Sequence, residues 1–184
     1  CDLLALQETK VQDHEFPIHE FASAGYHILF NGQKSYNGVA ILSKQPGVDP
    51  RHCFPNDPDP QKRILAATYN KLRIINVYVP MGQSLESDKY TYKLKWYQNL
   101  HELITLEQQR HEQLIVLGDF NVAPRDQDTY NPKLWQNRVL VSDLERQALN
   151  ACLQLGLHDS YQLFPQHNEQ FSWWDYRGGA FQRN

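Results

Sequence analysis

Six short apolar runs are set between polar, glycine-bearing or proline-bearing stretches of the chain: Leu3–Leu6, Tyr26–Phe30, Val39–Leu42, Ile64–Tyr69, Leu72–Val79 and Leu114–Leu117. Each is too short for a stable helix and holds branched or aromatic residues, so each predicts a buried strand. Asn70-Lys71 separates two of them and predicts a tight hairpin turn, because asparagine tolerates positive φ. Pro80 stops the fifth run, since proline has no N–H to give to a ladder. The period then changes. From Ser87 or Asp88 towards Arg110, Tyr90, Leu94, Tyr97, Leu100 and Ile104 keep helical spacing and predict one long helix with a buried face. Ser142-Asp143-Leu144-Glu145 has the pattern of a capping box opening a second helix. Its Leu144, Ala148, Cys152 and Leu155 are expected to face the core, with Gly156 as the stop. The stretch from Gln45 to Gln61 carries Pro46, Pro50, Pro55, Pro58 and Pro60 and predicts a surface loop, because a strand resumes directly beyond it. Strands with few helices and no internal repeat argue for one layered α/β domain.

The chemistry gathers where strands end. Gly118 follows the apolar run Leu114–Leu117, and Asp119 and Asn121 come directly after it. A carboxylate there can bind a hard cation or activate water, and a carboxamide NH2 can hold a phosphate oxygen. Taken alone, such a turn serves equally to hydrogen-bond its own backbone. The motif is repeated in kind near the start, where the run at Leu3–Leu6 leads to Gln7-Glu8-Thr9-Lys10. A third run ends at Tyr78, just before Val79-Pro80.

LALQETK, NGVAILSK, INVYVP, GDFNVAP and FSWWDYR stand in this order across nearly the whole chain. Together they resemble the exonuclease III/AP endonuclease group of the endonuclease/exonuclease/phosphatase superfamily. The resemblance implies a four-layered α/β sandwich, two packed mixed sheets flanked by helices, with the site where loops leave the strands at one edge. It implies a DNA-repair phosphodiesterase that removes nucleotides from 3′ ends of duplex DNA and cuts 5′ to abasic sites. Mg²⁺ or Mn²⁺ is the implied cofactor, and a monomer on double-stranded DNA the implied assembly. Glu8 is then the leading metal ligand, as a hard oxygen donor, with Asp119 and Asn121 sharing the metal site. Asp119 is the expected general base, since an aspartate is ionised and ready to accept a proton at neutral pH. Asn121 cannot titrate and would act by donating to a phosphate oxygen. Tyr78 would donate to phosphate or, with a lowered pKa, act as an anion; without the resemblance it would pass for packing. Lys10 is a weaker phosphate contact.

Trp173 matches the aromatic that shapes a pocket for a base-free deoxyribose, although a pair of core tryptophans would give the same Trp173-Trp174 sequence. Tyr36 matches a DNA-contacting position, and Arg177 is expected to bind the substrate. Met81 stands where relatives often carry a polar residue, so contacts in that loop are expected to differ. His158-Asp159 follows the helix stop and does not match the closing motif of the family; it is taken as structural.

The 184 residues carry a net charge of −3, which offers no global attraction to nucleic acid and leaves DNA binding to local patches. Lys89, Lys93 and Lys95 form one candidate patch, and Arg177 with Arg183 another. Cys1, Cys53 and Cys152 are too few and scattered for a disulfide framework, which fits a reducing cytosol. No apolar stretch approaches a membrane span. The chain opens at Cys1 inside a strand signal and stops at Asn184 without a closing element. It is therefore expected to be the interior of a longer protein. The family's remaining Asn would precede it, an Asp and an Asp-His pair would follow it, and the isolated stretch would be inactive. Two other functions stay open: a phosphoinositide-type phosphatase or related phosphodiesterase, and a nucleic-acid-binding relative that lost catalysis. FSWWDYR beside GDFNVAP weighs against the first. Glu8, Asp119 and Asn121 weigh against the second, because acidic groups facing phosphate do not help a pure binding module.

Overall fold

In the computed structural model the six predicted runs form strands, each within one or two residues of its expected limits. They are β1 (Leu3–Gln7), β2 (His27–Asn31), β3 (Val39–Ser43), β5 (Ile64–Tyr69), β6 (Leu72–Tyr78) and β7 (Gln113–Asp119), with an unpredicted β4 (Val48–Arg51) between the third and fourth runs. Helices are α1 (Ile18–Ser23), α2 (Asp88–Gln108), α3 (Pro132–Trp135) and α4 (Asp143–Leu153). Residues 1–56, 59–164 and 171–172 are described. The chain divides into two compact units, Cys1–Val79 with Asn99–Phe120 and Pro80–Gln98 with Asn121–Asn184.

The first unit holds both sheets. One is antiparallel throughout, in the order β1-β3-β2; the other is mixed, in the order β4-β5-β6-β7, with β6 and β7 parallel. The expectation of two mixed sheets thus holds for the second alone. Val39 and Ile41 of β3 pack with Leu65, Ala67 and Tyr69 of β5 and Ile74 of β6 between the sheets. On the other face of the antiparallel sheet, Ala40 and Leu42 are covered by Phe16 and Phe21, the latter in α1. With both faces covered, β3 is buried at every position, which explains its unbroken apolar run. Asn76 is the polar exception in the middle. Its Nδ2 donates to the carbonyls of Leu6 and Ala40, each at 3.0 Å, and its Oδ1 accepts from Gln7 Nε2 at 2.7 Å. A buried amide so fully paired costs little and ties the sheets together.

On the outer face of the mixed sheet, the C-terminal half of α2 brings Glu107 between two arginines. Its Oε1 lies 2.8 Å from Arg51 Nε and its Oε2 2.8 Å from Arg73 Nε. Arg73 also donates through Nη1 to the Asp49 carbonyl at 2.7 Å and to Thr68 Oγ1 at 3.1 Å. Four layers result within this unit: α1, the antiparallel sheet, the mixed sheet and residues 99–108 of α2. The stretch from Gln45 to Gln61 is not all loop. Val48–Arg51 pairs with β5 as an edge strand with an irregular register, where Pro50 is tolerated.

In the second unit Ser142 caps α4, and its hydroxyl and the Glu145 carboxylate close the predicted capping box. Cys152 is buried as expected, but Leu144 is exposed, contrary to the expected core face, and Glu145 is buried instead. Gly156, past the helix end, has φ +91°. Asp159 caps a short 3₁₀ turn by accepting from Tyr161 N at 3.1 Å, a structural role in keeping with the reading of His158-Asp159. The three cysteines are free thiols, and among the described residues no helix is long and apolar enough to cross a membrane.

Candidate active site

Glu8, one residue beyond β1, has φ 54°, and Lys10 has φ 57°. Left-handed non-glycine residues are costly and persist where the surroundings over-determine them. Here the cause is pairing with the NGVA segment: Thr9 N donates to the Gly38 carbonyl at 3.2 Å and Lys10 N to the Asn37 carbonyl at 2.9 Å. A Cβ on Gly38 would sit 2.1 Å from Thr9 Oγ1 and force Thr9 to shift, and the φ of +87° adds strain for any other residue. Tyr36 lies on the same segment, its side chain 71% exposed.

The twist at Glu8 leaves its carboxylate between two donors. Tyr78 Oη donates to Oε1 at 2.9 Å, and Lys10 Nζ lies 2.6 Å from Oε2. The hydrogen bond from Lys10, assisted by that from Tyr78 and opposed by partial burial, holds the Glu8 carboxyl below the usual carboxylate range. Tyr78 moves the other way. Burial, then the hydrogen bond and negative charge of Glu8, push the phenol up to about 12. The expectation of a lowered Tyr78 pKa and a phenolate is therefore corrected: next to an ionised carboxylate a second anion is disfavoured, and the phenol stays a donor.

Asp119 ends β7 beside Tyr78. The two are register partners in the parallel pair, and Val79 N donates to the Asp119 carbonyl at 2.8 Å. Gly118 has φ +131°, and a Cβ there would lie 2.0 Å from the Val77 carbonyl oxygen. The glycine of GDFN is thus required by backbone contact. Asn121, two residues further along the chain, belongs to the second unit and has φ 47°. Its carbonyl accepts from Lys93 Nζ at 2.5 Å.

Sequence reasoning did not identify Arg63 as part of the site. Its Nη1 donates to the Tyr78 carbonyl at 3.1 Å, and its guanidinium lies 4.6 Å from the Tyr78 ring centroid. The only signal was a cation one residue before an apolar strand. Lys93 is corrected in the opposite sense. It is fully buried and ion-paired with Glu145, so it is no part of a basic surface patch, whereas Lys89 and Lys95 are exposed. Trp173, Arg177 and Arg183 lie outside the described residues. Of their motif, Phe171 packs edge-on against Tyr130 at 5.3 Å, and Ser172 N donates to the Asp128 carbonyl at 3.0 Å.

The pattern of the Endonuclease/Exonuclease/phosphatase family matches residues 1–184, and the chain belongs to that family. It is 37% identical to an exodeoxyribonuclease III of Haemophilus influenzae, over all of this chain and 73% of the relative. Among solved structures, a 3′ phosphatase from Neisseria bound to a product DNA hairpin superposes with TM-score 0.95 at 42% identity, covering 99% of this chain and 71% of the other. An AP endonuclease from Archaeoglobus fulgidus gives TM-score 0.91 at 35% identity, with 99% and 71% covered.

Proposed function

We propose that the protein is a metal-dependent DNA phosphodiesterase of the exodeoxyribonuclease III type, acting as a 3′→5′ exonuclease on duplex DNA and as an endonuclease 5′ to abasic sites. The observation that carries this reading is the Glu8 carboxylate, bonded to the Tyr78 phenol and the Lys10 ammonium at a left-handed strand end. It fits a hard divalent cation: its donors are carboxylate oxygens, its charge persists below the usual range, and it is partly open to solvent. Mg²⁺ is usually held by one or two carboxylates with water and substrate phosphate, and Mn²⁺ takes the same hard oxygen donors. Glu8 would hold the ion, with Asp119 and Asn121 sharing its site. A bound cation would offset phosphate charge and acidify water.

Asp119 takes the proton of the attacking water in this reading. Asn121 donates its amide N–H to the phosphate oxygen on which charge builds, and Tyr78 donates as a neutral phenol. Trp173 walls the pocket for a base-free sugar, and Tyr36 and Arg177 contact DNA. The enzyme works as a cytoplasmic monomer. The test is a duplex oligonucleotide bearing one abasic analogue, incubated with Mg²⁺ and then with EDTA. Cleavage 5′ to the lesion that EDTA abolishes is expected in the intact enzyme. Asp119→Asn and Asn121→Ala should each lower turnover, the latter about 10²–10³-fold, with DNA affinity changed far less. Parental rates in both, with native circular dichroism, would remove these role assignments.

A further inference from the structure

Lys93 is the one buried lysine among the described residues, and its ammonium meets three acceptors from three separate stretches of the second unit. It donates to the Met81 carbonyl at 3.2 Å, to the Asn121 carbonyl at 2.5 Å and to the Glu145 carboxylate. An ammonium has three protons to give, and each of these acceptors can take one. Glu145 is itself fully occupied, receiving the Leu140 N–H at 3.0 Å through Oε1 and the Ser142 N–H at 3.1 Å through Oε2. Burying such a pair is a poor way to gain stability, because desolvation offsets most of the attraction. A folded chain needing only a filled core would be served as well by two apolar residues. What the pair supplies that apolar residues do not is a directed donor at the Asn121 carbonyl. Asn121 is held in the left-handed region, φ 47°, which asparagine tolerates better than most residues, and a fixed carbonyl there sets where the side chain leaves. Further on, Ala123 N donates to the Leu140 carbonyl at 2.7 Å, and Arg146 Nε donates to the Ala123 carbonyl at 3.0 Å. The turn is therefore tied on its far side as well, and Lys93 is a tie at the Asn121 carbonyl itself.

We infer that Lys93, with Glu145 as its counter-ion, is a positioning residue that fixes the Asn121 backbone so that the Asn121 amide reaches the phosphate in the transition state. The inference rests on the role proposed for Asn121 in turnover. Lys93→Met alone would strand a buried carboxylate and unfold the unit, so the test uses Lys93→Met/Glu145→Gln in the intact enzyme, which removes both charges together. Turnover is expected to fall about 10²-fold with KM little changed, the signature of a misplaced transition-state donor. Amide hydrogen exchange at residues 121–123 should quicken. Lys93→Arg keeps the charge pair but spreads its donors over a planar fork, and should fall between parent and paired variant. Cys152→Ala, which loosens the same unit away from Asn121, should lower the melting temperature without changing kcat.

The deciding measurement adds Asn121→Ala to the paired variant. If Lys93 acts through Asn121, the combined variant is no slower than Asn121→Ala alone. Losses that multiply, or parental kcat in a folded paired or Lys93→Arg variant, would overturn the inference while leaving the role of Asn121 intact. Full turnover in Asn121→Ala is a different result. It removes the proposed role of Asn121, and the positioning role of Lys93 with it.

Discussion

Replacing Lys10 by methionine removes the largest influence lowering the Glu8 carboxyl, so the Glu8 pKa rises towards the ordinary carboxylate range. A depressed carboxylate pKa contributes stability above the unfolded-state value and loses it as pH falls through the folded-state value. The acid limb of activity should accordingly move to higher pH in Lys10→Met, and a kcat/KM profile between about pH 4 and 7 reads it directly. An unmoved limb would detach Glu8 from the reaction. Tyr78 carries the opposite sign. Its raised pKa means that the neutral phenol is favoured in the folded state, with that contribution complete below the unfolded tyrosine value near ~10 and lost as pH rises through about 12. Ultraviolet titration should show one fewer late-titrating phenol in Tyr78→Phe than in the parent. The strand-end positions of Glu8 and Asp119 were legible because their motifs are short and contiguous. The ionisation of Tyr78 was not, since it is set by burial and by a carboxylate 70 residues away in sequence. Nor was the burial of Lys93, whose partner Glu145 is 52 residues distant.

At the level of elements, strands covered on both faces announced themselves through continuous apolar runs, and the capping box announced α4. β4 did not, because Val48-Asp49-Pro50-Arg51 has the composition of a loop and pairs along one edge only. The buried side of α4 was misjudged for a related reason. Hydrophobic spacing pointed to Leu144, but the inward position is taken by a glutamate that answers a buried lysine. Gly118 makes the sharpest prediction here. Alanine at this position combines φ +131° with a Cβ 2.0 Å from a backbone oxygen that cannot swing aside. Backbone strain alone costs about 1–3 kcal/mol, and the collision adds to it. Urea unfolding of Gly118→Ala should report a loss beyond that range, with turnover falling as well because Asp119 is displaced. A variant as stable as the parent would mean that the β7 end is not the rigid support described.

Over the whole molecule, a net charge of −3 makes DNA affinity a matter of a few local contacts. Each lysine that meets a phosphate contributes about one unit to the slope of log affinity against log salt. Lys89→Ala and Lys95→Ala are expected to flatten that slope by about one unit each. Lys93→Met/Glu145→Gln should leave it unchanged, since the buried pair holds no counterions to release. Fluorescence anisotropy across a salt series separates these cases. Equal slopes for all three variants would take Lys89 and Lys95 out of the DNA-binding surface. The layered class was readable from the order of strands and helices, but the pairing order β1-β3-β2 was not, because register depends on contacts that no single window of sequence contains.

Asn76 bears on how this family can be recombined. Its amide is pegged to Leu6, Gln7 and Ala40, and the peg stands one residue behind Glu8 on one strand and two behind Tyr78 on another. The Glu8–Tyr78 distance is thus inherited from a buried junction directly behind the two side chains. A chimera that takes its first strand from one relative and its sixth from another can carry every reactive side chain and still misjoin them if the peg and its sockets come from different parents. Crossover points in such a library belong outside the span from Leu6 to Asn76, so that the two ends of the peg travel as a single heritable block.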